Sequence, residues 1–160
     1  LAFAVTFSAP SVAANDPLKA LDFLIGTWHG AAPEASGTDV FQRDLDGHVL
    51  QRRSQNPTTS SAGITPQAIQ ALLTIYPLGE GDALAAIYFD NEGHVIHYEH
   101  VAVTPRERVE FRCNGGAATP GFRLTYSLRS RGTLHVKFEM APPGQSSYRV
   151  VAEADETATR

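Results

Sequence analysis

Residues 122–129 read Phe-Arg-Leu-Thr-Tyr-Ser-Leu-Arg, and residues 133–140 read Thr-Leu-His-Val-Lys-Phe-Glu-Met. Polar and apolar side chains alternate along both runs, which is the two-residue period of an extended strand with one dry face. Ser130-Arg131-Gly132 lies between them as a turn, so the two runs predict an antiparallel hairpin. Its dry face carries Phe122, Leu124, Tyr126 and Leu128 beside Leu134, Val136, Phe138 and Met140.

The same pattern extends backwards along the chain. Val40–Leu45 and His48–Ser54 flank Asp46-Gly47, a strong turn dipeptide, and Ala83–Phe89 and His94–Val103 flank Asp90-Asn91-Glu92-Gly93. Leu72–Tyr76, Arg108–Arg112 and Tyr148–Glu153 complete a set of about eight to ten short strands joined mostly by hairpins. No strand–helix–strand unit intervenes, which excludes a mainly parallel sheet and leaves an up-and-down barrel or a two-sheet sandwich. Closure removes exposed sheet edges, so the antiparallel barrel is the expected all-β fold. One helix precedes it: Asp16 is a capping residue, Pro17 suits the first helical position, and Gly26 ends the apolar run Leu18 to Ile25. The Thr/Ser-rich stretch Asn56–Gly63 reads as a loop, a candidate lid over a barrel mouth, and Thr65-Pro66 as the start of a brief helix through Gln70.

The chain has 160 residues, 42% hydrophobic and 19% charged, with 13 Lys+Arg against 17 Asp+Glu. That is enough for one sizeable core, too apolar for a disordered chain and too acidic for the footprint of a nucleic-acid binder. The lone Cys113 excludes an internal disulfide and any cysteine zinc finger. Leu1–Ala14 is uncharged and mostly apolar and ends in small residues, the shape of the C-terminal part of a secretory signal. The alternative is a first strand through Val5-Thr6-Phe7. On the signal reading the chain is a truncated fragment, residues 15–160 form one domain, and the mature protein is exported, periplasmic or extracellular. The segment is interrupted by Ser8, Pro10 and Ser11, too short an apolar run for a membrane span.

The helix followed by Leu24-Ile25-Gly26-Thr27-Trp28-His29-Gly30 resembles the opening of calycin-like barrels, a group that includes lipocalins, fatty-acid-binding proteins and nitrobindins. The resemblance implies that Trp28 packs over one end of the barrel as a plug. A closer similarity is to a bacterial family of uncharacterised calycin-like domains, often exported. It is carried by Leu21–Gly30, Tyr88-Phe89-Asp90 with Gly93 and Tyr98-Glu99, residues 122–126 and residues 138–144. That family implies a barrel and little chemistry, so function has to come from the site.

Six histidines invite a metal or haem. In one predicted strand His94 and His100 share a face but stand ~20 Å apart, and His97 faces the other way. Nitrobindin-type barrels hold haem through a histidine near the C-terminal end, and no histidine follows His135 here. Ala31-Ala32 also replaces the second glycine-spaced extension of the opening, so haem is disfavoured, with His97 or His100 as remaining ligands from another wall. No cofactor is inferred. There is no Gly-x-Ser-x-Gly elbow, P-loop or dinucleotide fingerprint. His135 falls on the wet side of its hairpin, and Glu99 and Glu139 read as surface carboxylates before they read as general bases. Adjacent Arg52 and Arg53 cannot both face outward within one strand, so either one enters the barrel to anchor a carboxylate or phosphate, or both lie at the rim.

These readings point to non-catalytic binding of a small apolar or amphipathic molecule inside the barrel. Its expected lining is Arg52, Tyr88, His97, Tyr98, Phe122, Leu124, Tyr126, Val136 and Phe138. Two alternatives stand beside it: an enzyme in which His97, Glu99 and an inward arginine converge, and a packed interaction module of the envelope. Oligomeric state is not legible.

Overall fold

Asp16 accepts a hydrogen bond from the Leu18 amide and Pro17 takes the first helical position, so the expected helix forms, as a 3-10 helix over Pro17–Leu24. Leu18, Leu21 and Leu24 bury one face of it. Strand β1 (Gly26–Gly30) follows at once, and Trp28 donates from Nε1 to the Leu24 carbonyl at 2.7 Å, fixing the indole against the helix end. Arg43 reaches Asp22 at 2.8 Å and Asp16 at 3.2 Å, and the Arg106 amide donates to the Ala20 carbonyl. Helix and Trp28 thus close one end of the barrel, which we call the base.

The computed structural model describes residues 16–30, 37–56, 68–79 and 81–159. The remaining strands are β2 (Thr38–Asp44), β3 (Val49–Asn56), β4 (Ile69–Pro77), β5 (Leu84–Asp90), β6 (Val95–Tyr98), β7 (His100–Thr104), β8 (Arg108–Cys113), β9 (Gly121–Ser130), β10 (Thr133–Ala141) and β11 (Arg149–Ala158). All pair antiparallel in one sheet of order β6-β5-β4-β3-β2-β1-β11-β10-β9-β8-β7. The two strands at the ends of that order, β6 and β7, are separated in sequence by Glu99 alone. They form one kinked strand whose first half pairs with β5 and whose second half pairs with β8. The sheet is therefore a nearly closed barrel, and the sandwich is set aside.

The turns carry the backbone that sharp reversals need. Asp46-Gly47 lies in the four-residue turn between β2 and β3, where Leu45, Asp46 and Gly47 all have positive φ. Gly132 at φ 93° serves the β9–β10 hairpin. That hairpin has the expected pairing, with Tyr126 opposite Val136 and Leu124 opposite Phe138. The core runs across the barrel as an aromatic chain: Phe41 meets Tyr126 edge-on at 5.3 Å, Tyr126 meets Phe111 at 6.4 Å, and Phe111 meets Tyr98 at 5.9 Å.

Several boundaries differ from the sequence reading. The single strand expected over His94–Val103 breaks at Glu99, because each half pairs with a different neighbour. The last strand runs to Ala158 rather than Glu153, since pairing with both β1 and β10 holds Ala, Asp and Glu residues of low strand preference extended. Gln70 belongs to β4, not to a helix. His135 is half-buried rather than exposed, held between Glu153 at 2.8 Å and Asp155 at 2.7 Å. Met140 shares a face with Phe122 but is 36% exposed near the rim. The signal-like Leu1–Ala14 and the loop, lid and helix start over residues 57–67 lie outside the described residues. No helix among the described residues is long and apolar enough to cross a membrane.

Candidate functional site

The register decides between the adjacent arginines. Arg52 pairs with Phe41 and Leu73, both wholly within the core, so its side chain points into the lumen and is 7% exposed. Arg53 pairs with Val40 and Leu72 on the outer face and is exposed. Inside, Arg52 spans the barrel: one Nη donates to the hydroxyl of Tyr126 and lies 3.4 Å from Oδ2 of Asp39. Asp39, 4% exposed, accepts at Oδ1 from the Ser54 hydroxyl at 2.5 Å. Burial by itself lowers an arginine pKa, but Tyr126 and Asp39 outweigh it and hold the Arg52 guanidinium firmly charged.

A second carboxyl completes the cluster. Glu156 stands opposite Gly30 of β1 and Leu134 of β10, which turns it into the lumen. Burial, with the nearby Asp39 carboxylate, pushes its pKa up to about 8 against the opposing pull of Arg52. Burial thus favours the protonated form of Glu156. Burial also raises the phenols, Tyr88 to about 12 and Tyr98 and Tyr126 further, so all three remain protonated hydrogen-bonding groups. Two atoms in the cluster are buried without a protein partner: Arg52 Nε and Glu156 Oε2. An orphaned donor in a fixed guanidinium is a place for a ligand acceptor, because leaving it empty costs its desolvation.

Above the cluster the lumen wall is apolar and incompletely covered. Phe122, Val136 and Phe138 are only half-buried although they share the inward face with Leu124 and Tyr126, and Phe122 stacks on Phe138 at 5.7 Å. On β11 the partners of Phe138 and Val136 are Ala152 and Ala154, both small side chains. A cavity of about 280 Å³ opens at the rim where Ser54 and Asp90 meet Arg53, Leu72 and Phe89.

Of the expected lining, Arg52, Tyr88, Tyr98, Phe122, Leu124, Tyr126, Val136 and Phe138 lie on the inward face. His97 does not. It pairs with Ile87 while its neighbours Ile96 and Tyr98 point inward, so it is exposed on the outer face. An enzyme site joining His97, Glu99 and an inward arginine is therefore overturned. All six histidines lie among the described residues: five are exposed, and His135 is on the outer face with Asp155. Neither His97 nor His100 reaches the lumen to ligate haem.

Asp39, Ser54 and Glu156 escaped the sequence reading. Asp39 carried a usable signal, since it alternates with Phe41 on β2, whereas Glu156 lay past the expected end of the last strand. Elsewhere, Asp90, Glu92 and His94 bring their ligand atoms within 4.8 Å of one another. Asp90 is already engaged there, accepting from the Glu92 and His94 amides, His94 Nδ1 and the Tyr88 hydroxyl, which together cap the β5–β6 turn. Glu139, an outer-face carboxylate, is held by both Nε and one Nη of Arg123 at 2.7 Å. No family model matches the chain, and no curated protein matches it closely enough to count as a relative.

Proposed function

We propose that the protein binds a small amphipathic molecule inside its barrel without catalysis, with the polar head on Arg52 and the apolar part along the upper wall. The observation that carries this reading is the buried guanidinium crossing the lumen with its Nε–H unpartnered. The half-buried Phe122, Val136 and Phe138 support it as the apolar half of an amphipathic site. The resemblance to calycin-like barrels through Gly26–Gly30 is consistent with such a role, and the signal-like Leu1–Ala14 supports export to the periplasm or the exterior.

Native mass spectrometry with decanoate and decanol as probes, beside an absorbance spectrum of the same sample, tests the proposal. The expected result is one added mass per chain, lost on denaturation and weakened for decanoate in Arg52→Met. An unliganded mass at every probe concentration overturns it.

A further inference from the structure

Glu156 enters the lumen between two neighbours that offer no polar side chain, Gly30 of β1 and Leu134 of β10. The titratable and charged groups that face it come from strands two or three away in the sheet: Asp39 of β2, Arg52 of β3 and Tyr126 of β9. Its Oε2 is buried without a partner, as is Arg52 Nε, so one orphaned carboxyl atom and one orphaned donor occupy the same cluster.

The charges restrict what can join them. Arg43, further along β2, is engaged by Asp16 and Asp22 at the base. Arg52 is already matched by Asp39. With Glu156 protonated the cluster is neutral, and a bound monoanion brings it to one net negative charge. An ionised Glu156 or a doubly charged head group adds a further buried negative charge without a cation to offset it.

Resting on the reading that the lumen takes an amphipathic molecule, we propose that its head group is a single carboxylate bound together with a proton held on Glu156. The ligand carboxylate accepts from Arg52 Nε–H and from the carboxylic O–H of Glu156, and the chain runs up the wall of Val136, Phe138 and Phe122. No bond to carbon changes; the proton stays on Glu156 while the site is filled and returns to solvent on release above the pH at which the empty site ionises. The raised pKa of Glu156, with burial as its main cause, agrees with this direction. Affinity therefore falls with rising pH once Glu156 ionises, by about tenfold per pH unit above about pH 8.

The experiment is isothermal titration of the full chain with decanoate, decyl phosphate and decanol at about pH 6 and about pH 9. Each decanoate titration is run in two buffers of different ionisation enthalpy, which counts protons. The expected result is decanoate bound most tightly, with uptake approaching one proton at the higher pH. Glu156→Gln should take up none, and its decanoate affinity should no longer depend on pH. Binding of decanoate and decanol with equal affinity, or decanoate binding without proton uptake in the wild type, overturns this inference and leaves the amphipathic reading intact. Binding of none of the three overturns both. The proton count needs only the wild type, so a Glu156→Gln chain that fails to fold does not shield the inference.

Discussion

Arg52 on β3 and Tyr126 on β9 are bonded across the lumen from facing walls, with β2, β1, β11 and β10 between them in the sheet. The contact joins residues 74 apart in sequence and braces the barrel through its interior, where ring contacts of Tyr126 with Phe41 and Phe111 hold the acceptor in place. A guanidinium so placed stabilises the fold only while its partners remain, because a buried charge without its counter-ion is far costlier than a paired one.

Arg52→Leu leaves Asp39 buried without its cation and is expected to cost about 3–5 kcal/mol, read from urea unfolding. Adding Asp39→Asn removes the stranded charge, and the double variant should recover a measurable part of that loss. A single-variant cost below about 1 kcal/mol would show that the pair is not buried as described.

Stability should fall as pH rises through the Glu156 window. Its folded pKa is raised to about 8 from an ordinary 4.5, so the fold keeps a proton that the unfolded chain releases. The stabilisation is full below about 4.5 and is lost progressively up to about 8. The slope approaches but does not exceed about 1.4 kcal/mol per pH unit, and Glu156→Gln should flatten it in thermal melts recorded across that range.

The outer face has the opposite sign. Hydrogen bonds from Arg123 hold the Glu139 carboxyl below its usual range, and the Arg123 guanidinium stacks on Tyr148 at 4.6 Å. That stabilisation is present above the unfolded pKa of 4.5 and is lost as pH falls through the lower folded value. Glu139→Gln should cost about 1 kcal/mol at neutral pH and weaken the acid dependence of unfolding. An unchanged acid limb would contradict the assignment.

Trp28→Phe removes the donor to the Leu24 carbonyl and part of the volume that seals the base. The expected loss is about 2 kcal/mol in denaturant unfolding, and because Trp28 stands opposite Asp39 of the lumen cluster in the pairing of β1 with β2, decanoate affinity should fall with it. An unchanged unfolding midpoint would contradict the sealing role of Trp28.

Sequence alone determined the strand content, the β9–β10 hairpin, the Asp46-Gly47 turn and the capped helix at Pro17, because each is written in residues a few positions apart. It also showed that one of Arg52 and Arg53 must turn inward if both are in a strand. Which one was decided only by the pairing of β3 with β2 and β4, since a shift of one residue reverses every side chain. Other pairings put His97 outside, split one strand at Glu99 and kept β11 extended through Glu156. The lumen cluster joins residues 39, 52, 54, 126 and 156 from four strands, and no local period can express that meeting. Closure of the sheet brings those walls together, and burial then shifts Glu156 toward its protonated form, which neither its residue type nor its neighbours in the chain specify.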